Sequence, residues 1–289
     1  MLVVASHGQL NAARLRASRP KGSSTPEEGP AGWSVEELEY LFQEEGTDKQ
    51  AREPGHSYVH TYASVLGPWR HTIRSMVEIG IGTLGKAPAN MRYWWYAMQT
   101  YKHVNARGPN TRPRDRSYQP GASLRAWRRY FAPHTRIIGL DIDHLVVAKA
   151  KETPGIEAFV ANASEPAQLA KVLPTDLDLI IDDGDHVWVA QQRTLLNMWP
   201  FLRPGGYYFI EDVMPDEFHN QSMANAEAHD LMDRVGATLI LPDPIHRAHA
   251  AAGRHKKGGL KLDLSHLVLL RKPTREEAVN VKTRLPADG

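Results

Sequence analysis

The chain has 289 residues, 42% hydrophobic and 24% charged, with mean hydropathy −0.46 and a formal charge of +2. Those values fit one large core with appended elements, exclude a membrane span of roughly 20 apolar residues and are too nearly neutral to argue for nucleic acid. With no cysteine, disulfides, thiolate metal sites and cysteine nucleophiles are ruled out, which fits a reducing, cytoplasmic compartment.

Residues 1–33 contain Arg14, Arg16 and Arg19 and then a Pro-, Gly- and Ser-dense stretch. They read as a disordered tail, with an organelle transit peptide as the alternative. Order is expected from "SVEELEYLF", where Ser34 and Glu37 have capping-box spacing and Val35, Leu38, Leu41 and Phe42 share a helical face. With "SYVHTYASVL" this makes a helical extension over 34–72.

From residue 73 to 272, short apolar runs alternate with helical patterns: "SMVEIG", "RIIGLDID", "IEAFVA", "LDLIIDD" and "GYYFIED". The alternation predicts an α/β domain with a doubly wound, mostly parallel sheet of seven strands. "ATLILP" and "LSHLVLLRK" lack a clear helix between them and predict an antiparallel hairpin at one sheet edge; residues 273–289 read as a tail. The 86–120 segment is longer than ordinary strand-to-helix connections. Its aromatic half (Tyr93, Trp94, Trp95, Tyr96, Tyr101) and basic half (Arg107, Arg112, Arg114, Arg116) fit either a lid over a substrate pocket or a packed helix with a solvated loop. The later loop "HRAHAAAGRHKKGG" reads as a solvated connection, contact with an anionic substrate being the alternative.

"EIGIGTLG" (78–85) carries the G-x-G-x-x-G pattern of a dinucleotide loop. That reading needs an acid about 20 residues on, whereas the acid that ends the second strand, Asp141, lies 59 residues beyond Gly82. The arrangement Glu78-x-Gly80-x-Gly82, followed by an acid ending the next strand, resembles class I S-adenosylmethionine-dependent methyltransferases. Such a cofactor lacks a pyrophosphate, so Gly80 and Gly82 suffice for close backbone approach and Gly85 becomes incidental. Asp141 would accept two hydrogen bonds from the ribose diol, and Asn162 would meet the adenine edge unless it only shapes a turn.

"LIIDDGDH" and "FIEDV" end adjacent strands and gather Asp182, Asp183, Asp185, Glu211 and Asp212. Crowded carboxylates repel unless neutralised, and an all-oxygen set favours a hard ion, Mg²⁺ or Ca²⁺; capping of the next helix is the alternative for Asp185. His186 stands between this cluster and the cofactor loop, where it could deprotonate a hydroxyl. The other histidines, His246 and His249 among them, read as structural.

"EEGTDK", "VEIGIG", "GASLRAWRRYF", "GLDID", "IIDDGDH" and "LRPGGYYFIEDV" together resemble the macrocin/mycinamicin-type sugar O-methyltransferases, over roughly residues 46–213. The resemblance implies Asp183, Glu211 and Asp212 as Mg²⁺ ligands, His186 as general base, and Ser123 and Asp182 beside S-adenosylmethionine. It implies a small-molecule hydroxyl acceptor, a sugar or glycosylated natural product, with neither nucleic acid nor membrane as partner; a homo-oligomer is one of the assembly states allowed. A catechol-like acceptor, an NAD-dependent oxidoreductase and a non-catalytic cofactor-binding protein are the competing readings.

Overall fold

A computed structural model describes residues 3–5, 34–51, 56–83, 119–214, 225–240 and 266–278. Helix α1 (Val35–Glu45) starts as its spacing predicts: the Ser34 hydroxyl accepts from the Glu37 N–H at 3.0 Å, and Gly46 ends the helix in the left-handed region at φ 74°. Helix α2 (Val59–Leu66) follows. Then come β2 (Ser75–Ile79), α3 (Ala122–Tyr130), β3 (Arg136–Asp141), α4 (His144–Ala150), β4 (Ile156–Val160), α5 (Pro166–Val172), β5 (Leu177–Asp182), α6 (Trp188–Met198), β6 (Leu202–Ile210), α7 (Ala226–Val235), β7 (Thr238–Ile240) and β8 (Leu267–Arg271). A short strand, β1 (Val3–Ala5), precedes them all.

The strands form one sheet in the order β1-β7-β8-β6-β5-β2-β3-β4. Strands β2 to β6 pair in parallel, and β5 is buried at every position, as a strand covered on both faces requires. The predicted hairpin is present: β8 runs antiparallel to both β6 and β7 and lies between them. Beyond the seven expected strands, β1 adds an eighth, parallel to β7, from inside the segment read as a tail.

Two apolar layers sandwich the sheet. One sets Phe42 of α1 and Tyr62 of α2 edge-on against Trp127 of α3, with ring centroids 5.0 and 5.1 Å away. The other packs Trp188, Leu195 and Met198 of α6 and Leu231 and Met232 of α7. The chain runs outward from β2 through β3 to β4 and then returns to β5 on the other side of β2. The carboxyl ends of β2 and β5 therefore flank the switch point where such sheets open a crevice. Most of the expected 86–120 insertion and all of the "HRAH" loop lie outside the described residues, as do Gly85 and the tail past residue 278.

Candidate active site

At the switch point the β2 and β5 loops touch. Gly80 has φ 77°, and a Cβ built there would stand 2.1 Å from the Asp183 carbonyl oxygen; only glycine fits. The Asp183 N–H donates to the Ile79 carbonyl at 2.9 Å, stitching the two strand ends together. Gly82 also lies in the left-handed region, at φ 119°. Asp141 accepts from the Ile81 N–H at 3.1 Å and the Asp143 N–H at 2.8 Å, so the carboxylate at the end of β3 braces the glycine loop. Burial pushes its carboxyl up from the usual range, with those N–H groups opposing. Asn162 is exposed and accepts from the Ser164 N–H at 2.9 Å, the turn geometry considered for it.

Glu78 and Ser123 are brought together beneath the crevice rather than at its rim. Glu78 is fully buried and accepts from the Ser123 hydroxyl at 2.5 Å and from the Trp127 indole N–H at 2.9 Å. Asp182 is enclosed as well, and burial pushes its carboxyl up to about 7.

The acids at the ends of β5 and β6 meet as expected, but a second group of residues meets them. The loop after α1 and the start of α2 bring in Lys49, His56, Tyr58 and Tyr62. The Lys49 ammonium donates to Asp183 Oδ2 and Glu211 Oε2, each at 2.7 Å, and lies 3.5 Å from Glu78 Oε1. Burial disfavours that charge, but the three carboxylates hold it protonated, well above the usual lysine range. Tyr62 donates to Glu211 Oε1. The Tyr58 hydroxyl donates to Asp212 Oδ1 and accepts the Asp212 N–H at 3.0 Å. His56 Nδ1 lies 2.9 Å from Asp212 Oδ1, and His186 Nε2 lies 3.6 Å from Asp212 Oδ2. Burial works against the Asp212 charge, yet the two histidines and the Tyr58 hydrogen bond hold its carboxyl below the usual range. Asp212 also has φ 54°, a left-handed conformation that a non-glycine residue keeps only when its surroundings enforce it, at a cost of about 1–3 kcal/mol.

Asp183, His186 and Asp212 each present one ligand atom within 4.8 Å of the others. Burial pushes the Asp183 carboxyl up to about 7, with Lys49 opposing. Crowded, enclosed carboxylates of this kind are stabilised by positive charge, which Lys49 and His56 supply in part. The Nδ1 of His186 is enclosed and without a hydrogen-bond partner among the described residues, a group left open for something else. The two carboxylates of this group suit a divalent ion, which leaves His186 a ring nitrogen for a proton. Glu211 stands beside the group, with both oxygens already engaged by Lys49 and Tyr62. Asp185 accepts from the Val187 N–H at 3.2 Å in a turn just ahead of α6 and does not cap that helix, whose N-cap residue is Val187 with no side-chain cap. Sequence reasoning passed over the four residues of the extension. "EEGTDK" was a motif of the resemblance, but Lys49 had no assigned role, His56 was read with the structural histidines, and Tyr58 and Tyr62 only as part of the helical stretch "SYVHTYASVL".

No protein-family model matches the chain. It is 27% identical over 227 residues to the 8-demethyl-8-alpha-L-rhamnosyl tetracenomycin-C 2'-O-methyltransferase of Streptomyces olivaceus, covering 77% of this chain and 50% of that one. It is 32% identical over 183 residues to the mycinamicin VI 2''-O-methyltransferase of Micromonospora griseorubida, covering 58% of this chain and 43% of that one. The MycE methyltransferase of the mycinamycin pathway, solved with Mg, SAH and mycinamycin VI, overlaps at a TM-score of 0.49 and 18% identity, over 83% of this chain and 56% of that one; so loose an overlap adds no weight. The chain spans half the length, or less, of the two curated relatives. Both are named as O-methyltransferases, the first of a rhamnosyl compound, and the chain resembles them in sequence.

Proposed function

We propose that this chain transfers a methyl group from S-adenosylmethionine to a hydroxyl of a sugar or glycosylated small molecule, with Mg²⁺ as the metal. The observation that carries this reading is the contact between Gly80 and Asp183. It sets the loop suited to the cofactor directly against the acidic group suited to the metal, at the switch point of the sheet. When bound there, S-adenosylmethionine supplies an electrophilic methyl group and Mg²⁺ acidifies the acceptor hydroxyl.

The side chains do the rest. Gly80 and Gly82 leave the backbone open to close approach, and Asp141 offers the ribose hydroxyls a carboxylate that two N–H groups already orient. Asp183 and Asp212, with Glu211 beside them, hold the cation. His186 takes the hydroxyl proton on a ring nitrogen, and Asp212 stabilises the resulting imidazolium. A sugar acceptor ranks ahead of a catechol because the name of the Streptomyces olivaceus relative describes O-methylation of a rhamnosyl compound, while most of the aromatic segment that favoured a catechol lies outside the described residues.

Titration calorimetry with S-adenosylhomocysteine, against NAD⁺ as control, is the first test; binding of NAD⁺ alone would return the glycine loop to an oxidoreductase. The His186→Ala variant should keep its affinity for S-adenosylhomocysteine within a few-fold while turnover of a glycoside acceptor falls about 10²–10⁴-fold, the usual contribution of a positioned base. Undiminished turnover in that variant would remove His186 from the reaction.

A further inference from the structure

Lys49 and His56 both carry a charge that opposes the metal the cluster is suited to hold, and of the two it is Lys49 that reaches both Asp183 and Glu211. Its side chain is 1% exposed, whereas those of Asp183 and His186, at the mouth of the group, are 21% and 30% exposed. The ammonium thus lies beneath the site rather than in its opening. It reaches one oxygen of Asp183 and one of Glu211, while Tyr62 holds the other oxygen of Glu211. Asp212 is fixed separately, by Tyr58 and His56. Each carboxylate oxygen has two acceptor positions, so a hydrogen bond from Lys49 or Tyr62 leaves either acid able to ligate a metal.

Two roles are open to such a lysine, and they differ in sign. A counter-ion that merely neutralises the acids would compete with the metal, and removing it would tighten metal binding. A donor that fixes the rotation of the ligating carboxylates would do the reverse, because without it both side chains must be ordered at the moment of binding. The geometry points to the second: we propose that Lys49 is a positioning residue that holds Asp183 and Glu211 in their ligating orientation from below the metal site. The inference rests on the function proposed above and assigns a role to the lysine of "EEGTDK". Hydrogen-bonding partners of metal ligands commonly contribute 10- to 100-fold to metal affinity.

The experiment measures Mn²⁺ binding to the full chain, by the loss of free-ion paramagnetic resonance signal, in the presence of S-adenosylhomocysteine and without acceptor. Lys49→Met keeps the length and burial of the side chain but removes its donors. It should weaken Mn²⁺ binding about 10- to 100-fold while the affinity for S-adenosylhomocysteine stays within about twofold. Lys49→Arg, which restores a charged donor, should recover part of the loss, and Tyr62→Phe should weaken Mn²⁺ binding by a smaller factor. Equal or tighter Mn²⁺ binding in a folded Lys49→Met protein would overturn the proposal. If that variant does not fold, Tyr62→Phe decides, and unchanged Mn²⁺ binding in it overturns the proposal in the same way. A wild-type chain that binds S-adenosylhomocysteine but not Mn²⁺ would overturn the metal reading itself, and this inference with it, an outcome distinct from failure of the variants alone.

Discussion

Gly80 meets two demands that only glycine satisfies together, a left-handed backbone and a neighbouring carbonyl 2.1 Å from where a Cβ would stand. The obstacle is backbone, so no rotamer change relieves it. Gly80→Ala should lower stability by about 1–3 kcal/mol or more, read as an earlier urea midpoint, and should weaken S-adenosylhomocysteine binding as well. A variant with an unchanged midpoint would mean that the β2 and β5 loops are not in contact as described. Spacing picked out this glycine, but for approach to a ligand; that it also admits the Asp183 carbonyl could not be read from "EIGIG". Glu78 shows the same limit more sharply. An acid inside a strand announces that something compensates it, but its partners Ser123 and Trp127 stand 45 and 49 residues further along. No local pattern names them.

Helices α1 and α2 were legible as elements from the Ser34 cap and their apolar stripes. Their task was not, because Lys49 meets its two nearest acids across 134 and 162 residues. What reads as an appended extension supplies the donors that hold the acids of β5 and β6. The His56–Asp212 pair ties the two parts together through charge, which makes the docking dependent on pH. Burial opposes the His56 charge, but Asp212 raises the imidazole to about 10 in the folded chain, against about 6.5 when unfolded. Because the folded value is the higher, the stabilisation is complete below about pH 6.5 and is lost as the pH climbs towards 10. Asp212, held low, adds the opposite limb and loses its contribution as the medium turns acid. In metal-free protein, the difference in stability between wild type and His56→Gln should stay level across about pH 5 to 6 and shrink steadily towards pH 10. A difference that persists undiminished at pH 10 would show that the pair is not ionic.

Across the whole molecule, the parallel core, the switch point and the reversed strand followed from the alternation of apolar runs with helical patterns, since strands buried on both faces leave long apolar signatures. Strand β1 did not, because the apolar run from Leu2 to Ala5 is too short to carry a period and no helical pattern leads from it into the sheet. Among the described residues no helix is long and apolar enough to cross a membrane. Ligands that bind only the folded chain should raise its melting temperature. At 100 times its dissociation constant, S-adenosylhomocysteine should add about 2.7 kcal/mol of stability, seen as an upward shift in a thermal melt that NAD⁺ does not reproduce; the same shift with NAD⁺ would contradict the assignment.

The contact between Gly80 and Asp183 reaches further than packing. A wall shared by two binding loops is a route for free energy to pass between them, because any change in the position of one loop is work done on the other. Under the proposed function, occupancy on the glycine side would alter the strength with which the acidic side holds its ion, and the ion would return the influence by the same factor. The chain would then act as a coupled pair of sites, with the loaded cofactor helping to decide when the metal stays.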